Sequence, residues 1–387
     1  MSDPSHPSGR GAFAWIDAMR FIAAALVVME HARDLLFVTL REAGGVSPVW
    51  QAFYFLTGFG SEAVIAFFVI SGFWITAAVE RRFGAPDFWR GYLIDRLSRL
   101  LIVMVPALAV GAVLDLAAIH LLASPYALGT SGAMTLQTPV TDRLGLGVLL
   151  GNLVFLQDLV VPTFGSNGPL WSLANEFWYY LWFPSLLLAL RSRRFGLGLL
   201  TLSVGLLSGE LVKGFGVWLM GSALFYLDRR IRGASGTGKG QAVGLIGLCV
   251  AIAVMAAVYG GSRLGWGGLG HSFVLGSAFA LVLWAVLRLD PALPVWLRSM
   301  ATYGARASFS LYAAHFPFLL LVVSLLPPAA RTQPDGPRAL LWIAVLALTL
   351  GWGWLFARVT EARTGALRGW IRGRAGATTA PAAIPPQ

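Results

Sequence analysis

The chain has 387 residues, of which 57% are hydrophobic and 12% are charged, and its formal net charge is +11. Because soluble domains carry about a quarter charged residues, this composition leaves too little polar surface to coat a water-soluble fold. It excludes a soluble enzyme, a disordered chain and a nucleic-acid-binding domain, so no nucleic-acid partner is expected. It predicts an all-α, polytopic helical bundle in a lipid bilayer.

Apolar segments recur along the whole chain, and a helix that crosses a bilayer needs about 20 such residues. They predict ten spanning helices, at 13–34, 53–79, 97–121, 169–190, 195–209, 211–227, 241–259, 271–288, 307–326 and 338–358. The segments 195–209 and 211–227 share little sequence, so the first of them is expected to be short or tilted.

An eleventh apolar stretch, 144–162, is ambiguous. If it crossed the membrane, either Arg81 and Arg82 or the basic run 191–194 would face outward, against the preference of arginine for the cytoplasmic side. We therefore expect 144–162 to be re-entrant or to lie at the outer interface, where protein shields its backbone.

The basic runs also predict the orientation of the chain. With ten crossings and a cytoplasmic N-terminus, all of the basic runs between spans face the cytoplasm. Both termini are then cytoplasmic, and the inner membrane of a bacterium is the expected location. We divide the chain into a cytoplasmic N-terminus (1–12), an integral membrane domain (13–361) and a cytoplasmic tail (362–387) that is disordered from about residue 375. The oligomeric state stays open.

The single cysteine and the isolated histidines indicate no chemistry. Cys249 lies in an apolar run, so an intrachain disulfide is excluded and a metal site is not expected. His6 lies in the N-terminal segment, while His120 and His271 lie at helix ends without polar neighbours. We expect no function for these three histidines.

The first predicted helix carries three polar residues at membrane depth, Asp17, Arg20 and His31. Eleven residues return a helix to within about 20° of the same direction, so Arg20 and His31 share one face about 16 Å apart. Histidine is the side chain best suited to move a proton near neutral pH. The alternative is that His31 only anchors the outer end of the helix.

The third predicted helix begins with the sequence RLSR. Its Arg96 and Arg99 are three residues apart and face the same way. Two guanidinium groups at the inner membrane surface would bind a phosphate or pyrophosphate. A positive-inside anchor is the alternative explanation.

Two further segments combine polar and small residues inside predicted spans. Ser71 and Gly72 lie in the middle of FFVISGFWIT, which favours close helix packing over chemistry. In the segment 168–184, Ser172, Asn175 and Glu176 begin a polar stripe along one face of a helix.

Glu176 needs a partner inside a bilayer, and Arg20 and His31 are the candidates. Trp171 next to this stripe belongs either to the aromatic belt at the membrane surface or to a binding site. Farther along the chain, Tyr312 and His315 are three residues apart, and Pro317 interrupts the helix close to them.

These segments together resemble the acyltransferase-3 family of integral membrane O-acyltransferases. IDAMRFIAAALVVMEH resembles its first helix with the R-x10-H motif, and FFVISGFWIT its FFVLSGFLIT segment. DRLSR is similar to its RXXR motif, GPLWSLANEFWYYLWFP to its LWSLxVEExFYLxxP segment, and SFSLYAAHFPFLL to its SYxLYLxHxP segment. The five matches occur in family order over nearly the whole chain.

The resemblance implies transfer of an acyl group, commonly acetyl, from cytoplasmic acyl-CoA to a hydroxyl of a carbohydrate or another exported molecule. Such O-acetylation would modify a polysaccharide or a small acceptor, with acyl-CoA as donor and without a metal. The residues expected to be catalytic are His31, Glu176 and Arg20, and those expected to bind the donor are Arg96, Arg99 and Arg20. The residues expected to bind substrate are Ser71, Trp171, Ser172, Asn175, Tyr312 and His315.

The chain departs from the family pattern at three positions. Asn175 stands where valine is usual, Glu176 is a single acidic residue where two are usual, and the proline after RXXR is delayed to Pro106. Two other functions remain as alternatives. A transporter or flippase would also use charges at the membrane midplane, although no internal repeat is visible. A structural membrane partner would not need so many buried polar residues.

Overall fold

A computed structural model describes residues 11–193, 195–232, 244–254, 269–326 and 331–377, and all structural statements below concern these residues. They form helices and no β-strand, which confirms the all-α fold. In chain order the helices are α1 (Gly11–Leu36), α2 (Leu40–Ala43), α3 (Pro48–Leu56), α4 (Gly60–Glu80), α5 (Phe88–His120), α6 (Leu146–Leu153), α7 (Trp171–Ser192), α8 (Gly196–Leu202), α9 (Gly209–Arg232), α10 (Gly244–Val254), α11 (Leu269–Leu289), α12 (Val295–Ser324), α13 (Gly336–Val359) and α14 (Thr364–Ala377).

Long apolar helices dominate the fold. In the described part of the chain, 6 helices are long and apolar enough to cross a membrane: α1, α4, α5, α11, α12 and α13. The more polar helices α7 and α9 have 22 and 24 residues, so at about 1.5 Å per residue they are also long enough to cross. A polytopic membrane bundle is confirmed.

The predicted span 195–209 is a short element. It consists of α8, with 7 residues, continued by a 5-residue 3₁₀ helix. The indole nitrogen of Trp182 donates a hydrogen bond to the carbonyl of Thr201 at 2.8 Å, so the segment packs along α7. Of the predicted span 241–259, residues 244–254 form α10 and the others lie outside the described residues.

The ambiguous stretch 144–162 does not cross the membrane as a helix. Its only helix in the described structure is α6, whose 8 residues are about 12 Å long. The irregular chain after α6 is held by Asn152, which donates to the carbonyls of Val148 and Pro162 and accepts from the amide of Phe164. This geometry agrees with the prediction that 144–162 is not an eleventh span.

Three helices differ in length from the predicted spans. The span 97–121 begins at Phe88, so Arg96 and Arg99 lie two to three turns inside α5 rather than at its start. The span 307–326 begins at Val295 in α12, and 53–79 is divided into α3 and α4. Helices α5 and α12 are longer than the predicted spans because each extends past its apolar run, and the added turns bury residues such as Tyr92 and Ala301.

Helices α4 and α9 approach each other closely through glycine. A Cβ at Gly72 would overlap the carbonyl oxygen of Trp218, and a Cβ at Gly221 would overlap that of Val69. Small residues allow such backbone contact between membrane helices. One turn farther along, Thr76 donates to Ser222 at 2.8 Å.

One end of the bundle collects ion pairs between arginine and buried acids, and we call it the basic end. Asp95 binds Arg372 at 2.6 Å and Arg82 at 2.7 Å, while Glu80 binds Arg191 at 2.7 Å. Helix α1 begins at this end, since the amide of Ala12 donates to Asp290. Because successive helices alternate in direction, α1 ends and α7 begins at the opposite end.

The predicted flanking segments are only partly described. Residues 1–10 and 233–243 lie outside the described residues. The tail that was expected to be disordered from about residue 375 is helical to Ala377, where α14 ends. Residues 378–387 lie outside the described part.

Candidate active site

A pair of histidines joins α1 to α12, the two helices that pack most extensively against each other. Nδ1 of His31 lies 2.8 Å from Nε2 of His315, which is hydrogen-bond distance. His315 is fully buried and His31 is partly buried. The sequence indicated both residues, but it did not predict that they are partners.

The ring of His315 is fixed from its own helix. Its Nδ1 lies 2.8 Å from the carbonyl oxygen of Tyr312 and 3.1 Å from that of Leu311. The hydroxyl of Tyr312 donates to the carbonyl of Pro169 and is 2.7 Å from the hydroxyl of Ser172. The structure thus brings His31, His315, Tyr312 and Ser172 together in one connected group, which we call the histidine group.

The charged residues that flank His31 in sequence have other partners. Asp34 accepts hydrogen bonds from the amides of Met134 and Thr135, which hold the loop after α5. Glu30 forms an ion pair with Arg33 at 3.4 Å. Neither carboxylate hydrogen-bonds to His31 in the described structure; its ring hydrogen-bonds to His315 and packs edge-on against Phe316.

A second group of polar residues lies nearer the basic end. Arg20, on α1, is within electrostatic range of Arg99, Glu361, Asp17 and Glu176. Arg99 approaches Glu361 only to 4.0 Å, and Glu361 also accepts hydrogen bonds from the amide and hydroxyl of Ser310. We call Arg20, Arg96 and Arg99 the arginine group.

Arg96 is positioned by aromatic rings. Its guanidinium carbon lies 5.8 Å from the ring centre of Tyr92 and 5.9 Å from that of Tyr180. Cations are attracted to aromatic faces at such distances. In the described chain no carboxylate lies within ion-pair distance of Arg96 or Arg20, and Nε of Arg96 is buried without a hydrogen-bond partner.

The carboxylate of Glu176, a residue of α7, reaches helix α4. Its Oε1 accepts hydrogen bonds from Ser71, at 3.1 Å, and from the hydroxyl of Tyr180. Ser71 in turn accepts from the indole of Trp218 at 3.2 Å. Of its two expected partners, Arg20 lies within electrostatic range of Glu176, whereas no hydrogen bond joins Glu176 to His31 in the described structure. The catalytic role of Glu176 stays a prediction.

Trp171 and Asn175 face a different space from Ser172 and Glu176. They line a cavity of about 440 Å³ between α4, α7, α9 and α11. Phe68 packs edge-on against Trp171 in its wall, Glu62 and Lys213 supply charge, and His271 also lines the cavity. His271, for which no function was expected, lies 4.0 Å from Glu62 there.

Sequence reasoning missed three residues that lie next to these groups: Tyr92, Tyr180 and Asn167. Tyr180 is four residues after Glu176 and therefore shares its helix face, a signal that the sequence does contain. Asn167, which donates to the carbonyl of Ala313, lies in an irregular segment and has no such periodicity.

No cluster of three or more His, Cys, Asp or Glu side chains that could hold a metal ion occurs among the described residues. The site consists instead of imidazole, guanidinium and hydroxyl groups together with the carboxylates of Glu176 and Glu361. Such a set can bind an anion at one end and accept a proton at the other.

A helical membrane bundle with these two polar groups in its interior has the features of an integral membrane enzyme. The family model of the acyltransferase-3 family, described as an acyltransferase domain, matches residues 13–358. The chain therefore belongs to this family of acyltransferases, as its five motifs predicted. Searches of curated proteins and of solved structures gave no significant match.

Proposed function

We propose that this protein transfers an acyl group, most often acetyl, from cytoplasmic acyl-CoA to a hydroxyl of a carbohydrate or another exported molecule. Membrane acyltransferase activity follows from the family. The observation that carries the finer proposal is the difference between the arginine group and three arginines of the basic end that form short ion pairs.

Three other arginines of the basic end are paired with carboxylates at short range. Arg82 and Arg372 lie within 2.7 Å of Asp95, and Arg191 lies 2.7 Å from Glu80. Arg20 and Arg96 have no such partner among the described residues, and Arg99 has only the 4.0 Å contact with Glu361. Partly buried guanidinium groups without close carboxylates are suited to bind an anionic ligand.

Acyl-CoA has the matching chemistry, since its phosphates and pyrophosphate are anions that guanidinium groups bind by paired hydrogen bonds. The basic end faces the cytoplasm under the positive-inside rule, where acyl-CoA is available. In this arrangement the phosphates lie at Arg96 and Arg99, and the pantetheine arm extends past Arg20 toward His31, about 16 Å farther along α1.

The chemical step then uses His31 as general base. Its ring accepts the proton of the acceptor hydroxyl while the oxygen attacks the thioester carbonyl and forms an ester bond. The carbon–sulfur bond breaks, and the CoA thiolate leaves and takes the proton from the histidinium. Direct transfer needs no acyl-histidine. If His31 first takes the acyl group, its nitrogen bonds to the carbonyl carbon as the CoA thiolate leaves; the acceptor oxygen then displaces His31, and the hydroxyl proton passes to the thiolate.

The acceptor enters, in this proposal, by the cavity lined by Trp171 and Asn175. This cavity lies at the opposite end from the arginine group, which suits an acceptor that is exported. An aromatic ring beside hydrogen-bonding groups is the ordinary chemistry of a sugar-binding site. Ser172, next to Trp171 in the chain, reaches Tyr312 and so connects this part of α7 to the histidine group.

The decisive experiment compares His31→Ala with His120→Ala, which removes an exposed histidine at the end of α5. General base catalysis supplies about 10²–10⁴ in rate, so His31→Ala should abolish most acyl transfer while His120→Ala retains it. Acyl masses on surface glycans and small secreted products would be measured in a knockout complemented with each variant. Wild-type acylation by His31→Ala would contradict the mechanism.

Thermal unfolding separates the enzyme from the transporter alternative. Acetyl-CoA that binds the folded protein raises its unfolding temperature in detergent. A transporter or flippase of another substrate would show no such shift with acetyl-CoA, and neither would a structural partner protein.

A further inference from the structure

We infer that His315 is a positioning residue that keeps the proton of His31 on Nδ1, so that Nε2 of His31 is the basic atom of the site. The catalytic consequence rests on the proposed function, whereas the position of the proton rests on geometry alone.

The first step concerns Nδ1 of His315. It lies within hydrogen-bond distance of two backbone carbonyl oxygens, those of Tyr312 at 2.8 Å and Leu311 at 3.1 Å. A carbonyl oxygen can only accept a hydrogen bond, so this nitrogen must carry hydrogen. The position of one proton on His315 is therefore fixed by its own helix.

The second step concerns the charge of His315. A ring with hydrogen on both nitrogens would be a cation with no exposed surface. No carboxylate hydrogen-bonds to either histidine in the described structure, and the nearby charge at His31 is the cation of Arg33. The neutral ring is thus favoured, and Nε2 of His315 is a hydrogen-bond acceptor.

The tautomer of His315 in turn determines the tautomer of His31. Nε2 of His315 lies 2.8 Å from Nδ1 of His31, so Nδ1 of His31 must be the donor. A neutral His31 then has an unprotonated Nε2. That nitrogen can accept a proton from a hydroxyl without rearrangement, and when it does, the hydrogen bond from Nδ1 to His315 is retained and stabilises the new positive charge.

His315 takes the place that a carboxylate occupies in many His-based sites. A carboxylate partner would hold the same tautomer but would add a negative charge to a buried position. A neutral imidazole that rests on backbone carbonyls holds the tautomer without that cost. Within the described chain, Glu176 is hydrogen-bonded to Ser71 rather than to His31, so the residue that holds the tautomer of His31 is His315.

The test uses two amides of different length at position 315. The Oε1 of His315→Gln reaches about as far as Nε2 of histidine and can accept from His31, whereas the amide of His315→Asn reaches only about as far as Nδ1. We expect His315→Gln to retain kcat within about tenfold, and His315→Asn to lose about 10²–10⁴-fold in kcat. The KM for acetyl-CoA and the acetyl-CoA thermal shift should stay unchanged in both. Equal activity of the two variants would overturn the inference.

A spectroscopic readout separates this inference from the proposed function. Nitrogen NMR of the full chain with ¹⁵N-labelled histidine, assigned with His31 and His315 variants, reports which ring nitrogen carries hydrogen. We expect Nδ1–H on both rings in the wild type and a shift of His31 to Nε2–H in His315→Asn. An Nε2–H tautomer of His31 in the wild type refutes the inference. The expected tautomer in a protein that transfers no acyl group upholds the inference and refutes the proposed function.

Discussion

Asn167 supplies the hydrogen bond that Pro317 removes from its own helix. Proline has no amide hydrogen, so the carbonyl of Ala313, four residues earlier, lacks its helical partner. The side-chain amide of Asn167 donates to this carbonyl at 2.8 Å. Because Ala313 lies between Tyr312 and His315, the bond fixes the segment before α7 against the histidine group.

The first prediction concerns the hydrogen bond from Asn167 to the carbonyl of Ala313. Asn167→Ala should lower the free energy of unfolding by about 1–3 kcal/mol, because a buried carbonyl loses its donor. The loss should be near the lower value, since Oδ1 of Asn167 is itself buried without a partner. The free energy of unfolding would be measured in detergent for the wild type and for Asn167→Ala.

The control is a double variant. Pro317→Ala restores an amide hydrogen at position 317, so Asn167→Ala should cost less in that background than in the wild type. Equal costs in the two backgrounds would show that the carbonyl of Ala313 does not depend on Asn167.

The second prediction concerns the donor site. Arg99→Gln should raise the KM for acyl-CoA about 10- to 100-fold, because a hydrogen bond from a charged group contributes about 1.5–3 kcal/mol. It should also reduce the thermal shift produced by acetyl-CoA.

Arg191→Gln is the matched control for Arg99→Gln. It removes one positive charge from the same end of the bundle, but Arg191 is already paired with Glu80 at 2.7 Å. Its KM for acyl-CoA should stay near the wild-type value. If both variants raised KM equally, the effect would be that of net charge and Arg99 would have no direct contact with the donor.

The elements of this fold were predictable from the sequence because apolar length and positive charge are properties of single segments. The start of α5 was not predictable, because the segment from Phe88 to Arg96 mixes aromatic and charged residues. Only the packed structure shows that Tyr92 is buried and that Arg96 lies over its ring. The same holds for α12, which begins well before its apolar run.

The candidate residues were predictable individually, but their partners were not. Spacing placed Arg20 and His31 on one face of one helix, yet the contact of His31 with His315 spans 284 residues of sequence. Of the two partners expected for Glu176, Arg20 is within electrostatic range, but the hydrogen bond from Ser71 on α4 was not predicted. Periodicity describes one helix at a time, whereas a hydrogen bond between helices depends on their rotation and depth in the bundle.

The third prediction concerns the cavity at the opposite end. Trp171→Leu should lower acylation of the native acceptor in a complemented knockout, because it removes the aromatic wall of the cavity. The purified variant should keep the full thermal shift with acetyl-CoA, since Trp171 is not in the arginine group. Asn175→Val, which removes a polar group at similar volume, should act in the same direction.

Mass spectrometry of the acceptor in the complemented strain measures both cavity variants. His271→Gln provides a comparison at the rim of the same cavity. Unchanged acylation in Trp171→Leu and Asn175→Val would mean that the acceptor does not use this cavity, while the donor site would be unaffected by that result.

The last prediction concerns the contact between α4 and α9. The methyl group of Gly72→Ala would overlap the backbone carbonyl of Trp218, which cannot move aside as a side chain can. The helices must separate, and overpacking of this kind costs about 1–3 kcal/mol. Ser71 would move with Gly72, so its hydrogen bonds to Glu176 and Trp218 should weaken and acyl transfer should fall as well.

Gly351→Ala is the control for Gly72→Ala. Gly351 lies in α13 with nothing within 4 Å of its added methyl group, so alanine should be neutral or stabilise the helix by up to about 1 kcal/mol. Thermal unfolding and acyl transfer would be measured for both variants. Wild-type stability of Gly72→Ala would show that α4 and α9 do not pack through their backbones, and Glu176 would then be held by α7 alone.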